Sequence, residues 1–210
     1  MNHLMALQQL GQIKNIGLTN FDTDHMVDLI DEGAPIVSNQ VSFSVLDTRP
    51  LKKLVPASID RNVKLLCYGT LLGGFLSSKW LGKAEPDYDA LSNVSLRKYL
   101  PWIKYWGGGG DQSWGLFQEL LSTLDSIGKK HGTSISNVAL RWVLDQQAVA
   151  GVIVGTRLGY KQHVKDNSKV FQLQLDKDDL RDIAAVQRKG HDLYDVLGDT
   201  GGEYRRRRRA

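Results

Sequence analysis

Short apolar runs of strand length alternate along the chain with segments in which apolar residues recur at helical spacing. The apolar runs lie at 13–18, 36–41, 63–67 and 149–154. Helical spacing marks segments that end at Gly11 and Gly33, and others at 51–61, 114–130, 134–144, 162–170 and 176–188. Ser113 and Ser134 are the expected caps of the helices at 114–130 and 134–144. Regular alternation of strands and helices predicts an α/β fold with a parallel, helix-covered sheet.

The third apolar run ends at Tyr68 and Gly69 and opens into a loop that also carries Gly73 and Gly74. Ligand sites of parallel β/α proteins form beyond the carboxyl ends of the strands. An aromatic residue followed by a glycine-bearing loop therefore predicts a ligand-binding face. A buried strand followed by a flexible loop is the alternative interpretation of the same residues.

Residues 80–112 are predicted to be irregular. The segment contains the run Gly107–Gly110 and is too long for an ordinary connection between two elements. It is therefore either a functional flap or a disordered insert. Its aromatic residues could line an apolar pocket on the substrate side or anchor the loop itself; they are Trp80, Tyr88, Trp102, Tyr105 and Trp106.

Composition limits the classes of protein to which the chain can belong. Hydrophobic residues make up 41% and charged residues 24% of the 210 residues, as in ordinary globular domains. The net charge of +4 comes from the five arginines Arg205–Arg209, which argues against a nucleic-acid-binding surface on the rest of the chain. The histidines show no metal-binding spacing.

The chain is also expected to stay out of membranes and of oxidising compartments. No apolar run reaches membrane-spanning length. The single cysteine, Cys67, excludes an internal disulfide and suits a reducing compartment. We therefore expect a cytoplasmic protein, or an organellar one if a preceding segment carries a transit peptide.

Four segments of the sequence, taken in order, resemble aldo-keto reductases. They are Gly11–Phe21, Ser38–Asp47, Tyr68–Lys79 and Ser136–Asn167. The resemblance implies that residues 1–190 form a partial (β/α)8 TIM barrel, with about four βα units plus a terminal helix, since a closed barrel needs eight strands. Residues 191–210 are expected to form a disordered Arg-rich tail.

The same resemblance implies that NADP(H) lies across the carboxyl ends of the strands. Thr19, Asn20 and Gln40 match the residues that hold the nicotinamide carboxamide, and Tyr68 matches the tyrosine that stacks on the nicotinamide ring. The matches to the phosphate and adenosine contacts are Gly69, Leu71, Gly73, Gly155, Thr156, Arg157, Gln162 and Asn167. Arg157 favours NADP(H) over NAD(H), because a guanidinium binds phosphate bidentately. From the residues alone, a helix cap at Thr19–Asn20 and a paired core glutamine at Gln40 remain alternatives.

The activity implied by the resemblance is reduction of a carbonyl compound, with a tyrosine as the proton donor. The family's catalytic tyrosine, aspartate, lysine and histidine have no matching position in this sequence. We therefore expect the 210-residue chain alone to lack normal turnover. The alternatives are an incomplete gene model, or a non-catalytic nucleotide-binding or interaction module that self-associates or pairs with a full-length relative.

Overall fold

A computed structural model describes residues 1–156 and 163–204, and within them the chain forms one parallel sheet. Its four strands lie in the order β1-β2-β3-β4. The strands are β1 (Ile16–Thr19), β2 (Ile36–Ser42), β3 (Lys64–Tyr68) and β4 (Val149–Val152). All three strand pairs are parallel, as the alternation of apolar runs and helical segments predicted. The carboxyl ends of the strands therefore meet at one edge of the sheet.

Helices connect these strands and pack on the sheet. The α-helices are α1 (Asn2–Gln9), α2 (Thr23–Asp31), α3 (Leu54–Asp60), α4 (Val94–Trp106), α5 (Ser113–Lys130), α6 (Ile135–Leu144), α7 (Val164–Asn167), α8 (Lys177–Gln187) and α9 (Tyr194–Leu197). Short 3-10 turns lie at Arg49–Leu51, Leu72–Gly74, Ser168–Phe171 and Gly202–Tyr204. In the described ranges, no helix is both long and apolar enough to cross a bilayer.

The two faces of the sheet differ because alternate residues of a strand point to opposite sides. Ile16, Leu18 and Leu65 are buried in the core beneath the helices. Gly17 and Lys64, which are adjacent in sequence to these buried residues, are exposed on the other face of the sheet, which we call the inner face. The inner face is mostly small or polar: Gly17, Thr19, Ser38, Gln40, Lys64, Leu66 and Tyr68.

Cys67 shows how closely the helix-facing side of β3 is packed. Its side chain is fully buried and its thiol is free. Burial raises the pKa of the thiol to about 12, because the thiolate would lose its hydration. The thiol is therefore protonated at neutral pH and unreactive.

The prediction that residues 80–112 are irregular is wrong for their second half, which contains α4. The Asn93 side chain accepts a hydrogen bond from the Ser95 amide at 2.8 Å and begins the helix. Leu96, Leu100 and Ile103 are buried on one face of it. Those apolar residues recur at helical spacing, but the nearby glycine run and the proline within the helix obscured the pattern.

Residues 191–204, assigned from the sequence to a disordered tail, are folded against the rest of the chain. They include α9 and the 3-10 turn Gly202–Tyr204. Leu193 and Thr200 are buried. The arginines Arg205–Arg209 lie outside the described residues.

The two predicted serine caps differ in outcome. Ser134 precedes α6, and its hydroxyl accepts a hydrogen bond from the Asn137 amide at 3.3 Å, which confirms it as the cap. Ser113 is instead the first residue of α5, where its hydroxyl donates to the Gly110 carbonyl at 2.7 Å. That contact closes the glycine-rich turn before α5.

Ion pairs at the start of α8 should make the stability of the fold depend on pH. The Lys130 ammonium lies 2.5 Å from Asp176 and 2.8 Å from Asp179, and the hydrogen bond from Lys130 lowers the pKa of Asp176 to about 2. The unfolded carboxyl has a pKa of about 3.9, so this contribution is present above that pH and is lost as the pH falls towards 2. Lys130→Met should flatten the fall in denaturation midpoint between about pH 5 and pH 2.

Lys129→Met is the matched control for this variant. It removes the same charge from the same turn of α5, but Lys129 pairs with Asp125 instead. It should therefore keep the wild-type pH slope. An equal slope in Lys130→Met and wild type would contradict the assignment of Lys130 as the group that holds Asp176 ionised.

Candidate functional site at the carboxyl ends of the strands

Asn20 follows β1 and Tyr68 ends β3, and their side chains meet across the end of β2. The Tyr68 hydroxyl donates a hydrogen bond to Asn20 Oδ1 at 2.7 Å. Asn20 is in the left-handed region, with φ 57°, and its amide donates to the Gln40 carbonyl at 2.9 Å. Thr19 is the register partner of Gln40, so the sheet brings together the four residues predicted to contact nicotinamide.

A buried asparagine that the sequence did not single out holds this turn in place. The Asn39 side chain donates to the Phe21 carbonyl at 2.8 Å. Asn39 is fully buried on the helix-facing side of β2, so it fixes the chain that follows Asn20. An asparagine within a strand-like run is the only local signal of this role.

Tyr68 remains a neutral hydroxyl over the whole physiological pH range. Burial raises its pKa most, and the hydrogen bond with Tyr204 raises it further. The neutral phenol can therefore both donate to Asn20 and present its ring face. These two properties suit a residue that stacks on a flat ligand at the strand ends.

The loop after β3 packs closely on α4. Gly69 and Gly73 have φ of 70° and 67°. A side chain at Gly69 would overlap the Tyr99 hydroxyl, and one at Gly73 would approach the Ser95 backbone at 2.8 Å. Both glycines are thus required by packing, and Leu71 lies between them, half-buried.

The predicted phosphate and adenosine contacts lie at the end of β4 and beyond. Gly155 and Thr156 follow β4 and are exposed. Arg157 and Gln162 lie outside the described residues. Asn167 ends α7, whose Asp166 accepts a hydrogen bond from Ser134 at 2.8 Å and is thereby docked on α6.

Arg49 is the largest polar feature of this edge and was missed in the sequence. Its side chain is fully buried and forms two hydrogen bonds with Asp47, at 2.7 and 3.0 Å. It forms two more with Glu203, at 2.9 and 3.1 Å. Burial alone would lower the Arg49 pKa, but hydrogen bonds and charges from Asp47 and Glu203 outweigh it and raise that pKa.

Lys98, on α4, places its ammonium among four aromatic rings. Its Nζ lies 5.1 to 5.4 Å from the ring centroids of Tyr68, Tyr99, Trp102 and Tyr204. The same ammonium lies 2.5 Å from the Tyr204 hydroxyl. A cation over several ring faces is stabilised by their quadrupoles, more strongly where water is partly excluded.

Residues 198–204 cross this edge, and we call them the C-terminal strap. Asp199 accepts a hydrogen bond from the Thr23 amide at 2.9 Å, Glu203 binds Arg49, and the Tyr204 hydroxyl lies 3.0 Å from that of Tyr68. The strap therefore contacts the ends of β1 and β3. Two shallow clefts in the described residues lie elsewhere, and no predicted cofactor residue lines either of them.

One group of potential metal ligands lies away from the strand ends. His131, Asp176 and Asp179 bring ligand atoms within 4.8 Å of one another. Lys130 contacts both carboxylates, and the His131 ring lies 2.6 Å from Asp179. These contacts pair the carboxylates, and the group serves as the ion-paired cap of α8.

Arg49→Met should strongly lower the free energy of unfolding. The substitution leaves Asp47 and Glu203 buried without their partner, and breaking a buried ion pair in this way typically costs about 3–5 kcal/mol. Chemical denaturation monitored by tryptophan fluorescence measures the change. The control is Arg61→Met, because Arg61 pairs with Asp31 at 3.3 Å on the surface, and its loss should cost at most about 1 kcal/mol. Equal losses in the two variants would contradict the role of Arg49.

Comparison with known proteins links this arrangement to one family. The model of the aldo/keto reductase family matches residues 1–188. Aldo-keto reductase YhdN from Bacillus subtilis is 24% identical over 187 residues, which are 87% of this chain and 51% of that protein. Flagellar radial spoke protein 5 from Chlamydomonas reinhardtii is 32% identical over 155 residues, which are 67% of this chain and 26% of that protein.

Solved structures show the same fold. Glycerol dehydrogenase AKR11B4 from Gluconobacter oxydans superposes with a TM-score of 0.69 at 23% identity, over 93% of this chain and 54% of that one. The four βα units described here thus match part of the TIM barrel of aldo-keto reductases, and the chain spans about half the length of most relatives it matches. Aldo-keto reductases generally use a nicotinamide cofactor and act on small carbonyl compounds. With a family match that extends over residues 1–188, this chain belongs to the aldo/keto reductase family.

Proposed function

We propose that this chain forms the cofactor-binding half of an NADP(H)-dependent carbonyl reductase. The observation that carries the proposal is the meeting of Asn20 and Tyr68 at the carboxyl edge of the sheet, 2.7 Å apart. Thr19 and Gln40 lie beside them in register. A side-chain amide, a hydroxyl and an aromatic face together match the chemistry of a nicotinamide ring and its carboxamide.

At the nicotinamide end, each residue has a separate role. Asn20 and Gln40 offer amide groups that can donate to and accept from a carboxamide, and the Thr19 hydroxyl can do either. Tyr68 offers its ring face for stacking. Asn39 keeps the turn after Asn20 in place through the Phe21 carbonyl.

At the other end, the loops after β3 and β4 would bind the phosphates and the adenosine. Gly69, Leu71 and Gly73 lie beside the pyrophosphate, and exposed backbone at Gly155 and Thr156 is available for a phosphate. Arg157 is proposed to bind the 2′-phosphate that distinguishes NADP(H) from NAD(H), because a guanidinium can donate two parallel hydrogen bonds. Gln162 and Asn167 would contact the adenosine.

The bound cofactor would supply a hydride for the carbonyl carbon, while a side chain must supply the proton. No position of this sequence matches the family's catalytic tyrosine, aspartate, lysine or histidine. In this proposal the residues present would bind and orient the dinucleotide, and none of them is assigned as the proton donor. We place the protein in the cytoplasm, where a single buried thiol such as Cys67 stays reduced.

A second candidate is a non-catalytic nucleotide-binding or interaction module. In the described residues, β1 and β4 are the edges of the sheet, and the inner face of these strands is exposed or half-buried. Unpaired edges can pair with another chain. Self-association or pairing with a full-length relative would complete the barrel, and similarity to a protein named for the flagellar radial spoke is consistent with such a role.

Binding of nucleotide fragments tests the NADP(H) proposal. 2′,5′-ADP should bind more tightly than 5′-ADP in calorimetric titrations, and Arg157→Ala should lower the affinity for 2′,5′-ADP roughly 10- to 100-fold, as loss of a charge-assisted hydrogen bond does. Arg181→Ala, which removes an exposed arginine of α8, is the control and should bind like wild type. Equal binding of the two nucleotides would exclude the NADP preference, and no binding of either would exclude the proposal.

Turnover separates the cofactor-binding half from a complete enzyme. The purified 210-residue chain should not oxidise NADPH in the presence of a broad panel of aldehydes and ketones, because it lacks a matched proton donor. The measurement is loss of NADPH absorbance, with a full-length aldo-keto reductase as the positive control. Oxidation proportional to the amount of purified chain would contradict this expectation.

A further inference from the structure

The C-terminal strap lies over the residues proposed to hold nicotinamide. We propose that the strap is a built-in occupant of this subsite, so that a dinucleotide can place its nicotinamide ring only after the strap is released. The inference rests on the proposed function, since it concerns the same site. It adds a competition between a segment of the chain and the cofactor.

Tyr204 makes the first contact with the subsite. Its hydroxyl lies 3.0 Å from the Tyr68 hydroxyl, which in turn donates to Asn20 at 2.7 Å. Tyr204, Tyr68 and Asn20 thus form one chain of hydrogen bonds across the edge of the sheet. A carboxamide that binds Asn20 has to share or displace these bonds.

The backbone of the strap approaches the same residue even more closely. Gly201 is buried and has φ 86°, and a side chain placed on it would overlap the carbonyl group of Asn20. Glycine therefore allows the strap to lie directly on the end of β1. With the backbone this close to Asn20, little room remains for a ring between them.

Lys98 uses the aromatic surface that a nicotinamide ring would need. Its ammonium lies 5.2 Å from the Tyr68 ring centroid and 5.1 Å from that of Tyr204. The strap thereby supplies one wall of the cation site, and the cation holds the strap against Tyr68. Release of Tyr204 removes that wall and leaves the Tyr68 face open to a planar ligand.

Two further anchors hold the strap closed. Asp47 fixes the Arg49 guanidinium from the sheet side, and Glu203 binds its other edge. The second anchor is the hydrogen bond from the Thr23 amide to Asp199. Asp47 is not part of the strap, so its ion pair with Arg49 persists when the strap is released. The ion pair between Arg49 and Glu203 is the one that breaks on opening.

Competition of this kind lowers the apparent affinity by a predictable factor. When only a fraction of the molecules is open, the apparent dissociation constant is the intrinsic one divided by that fraction. A strap closed in about nine molecules of ten would weaken NADPH binding about tenfold. Ligands confined to the adenosine end, at Gly155, Thr156 and Asn167, would be unaffected.

The experiment compares NADPH with 2′,5′-ADP on the full chain and on two strap variants. Gly201→Ala places a side chain against Asn20, and Glu203→Gln weakens the pair with Arg49. NADPH affinity should rise in both variants, by up to about tenfold if the strap is closed in about nine molecules of ten, with 2′,5′-ADP affinity unchanged. Gly115→Ala is the control, because a side chain at that exposed position of α5 meets no neighbouring atom within 4 Å. It should bind both ligands as wild type does.

Hydrogen exchange of the strap provides an independent readout on the wild-type chain. Saturating NADPH should speed exchange at amides of residues 198–204, whereas 2′,5′-ADP should not. Unchanged NADPH affinity in both variants, with unchanged exchange in wild type, would overturn the inference and leave the proposed function intact. Failure of every form of the chain to bind 2′,5′-ADP or NADPH would overturn both.

Discussion

The carboxyl edge of this sheet depends on the buried ion pairs of Arg49. A guanidinium with no exposed surface is stable only when its donors are matched, and Asp47 and Glu203 match them with four hydrogen bonds. Asp47 belongs to the loop after β2, whereas Glu203 belongs to the last described turn. The ring of Trp102, on α4, lies 5.3 Å from the guanidinium carbon. One side chain therefore joins the sheet, α4 and the strap.

The inner face explains how half of a barrel fold remains compact in the described residues. Its side chains are small or polar, as Gly17, Ser38 and Lys64 show, so little apolar surface is exposed by the open sheet. The core lies instead between the strands and the helices, where Phe43, Phe75 and Phe117 are fully buried. Fold stability thus depends on the helix-facing side of the four strands, whereas Thr19, Gln40 and Tyr68, the proposed nicotinamide contacts, lie on the inner face.

Local patterns predicted the sheet well because strand and cap signals are short-range. The apolar run at 36–41 corresponds to β2, and Ser134 begins α6 as expected. The sequence prediction that residues 191–204 are disordered was wrong because it relied on the arginine-rich composition of the tail. The fold of this segment depends instead on Arg49, which lies 154 residues before its partner Glu203. No local rule connects two residues so far apart. The family resemblance supplied Asn20 and Tyr68, but their shared hydrogen bond required the structure.

Cys67 and Tyr68 are consecutive residues on β3 and face opposite sides of the sheet. Release of the strap would uncover the Tyr68 ring and leave the thiol buried, whereas separation of the helices from β3 would uncover the thiol. Alkylation of this single cysteine thus reports loss of the core, while the ring environment of the neighbouring tyrosine reports movement of the strap. The sequence itself carries adjacent probes for two motions that would otherwise be hard to tell apart.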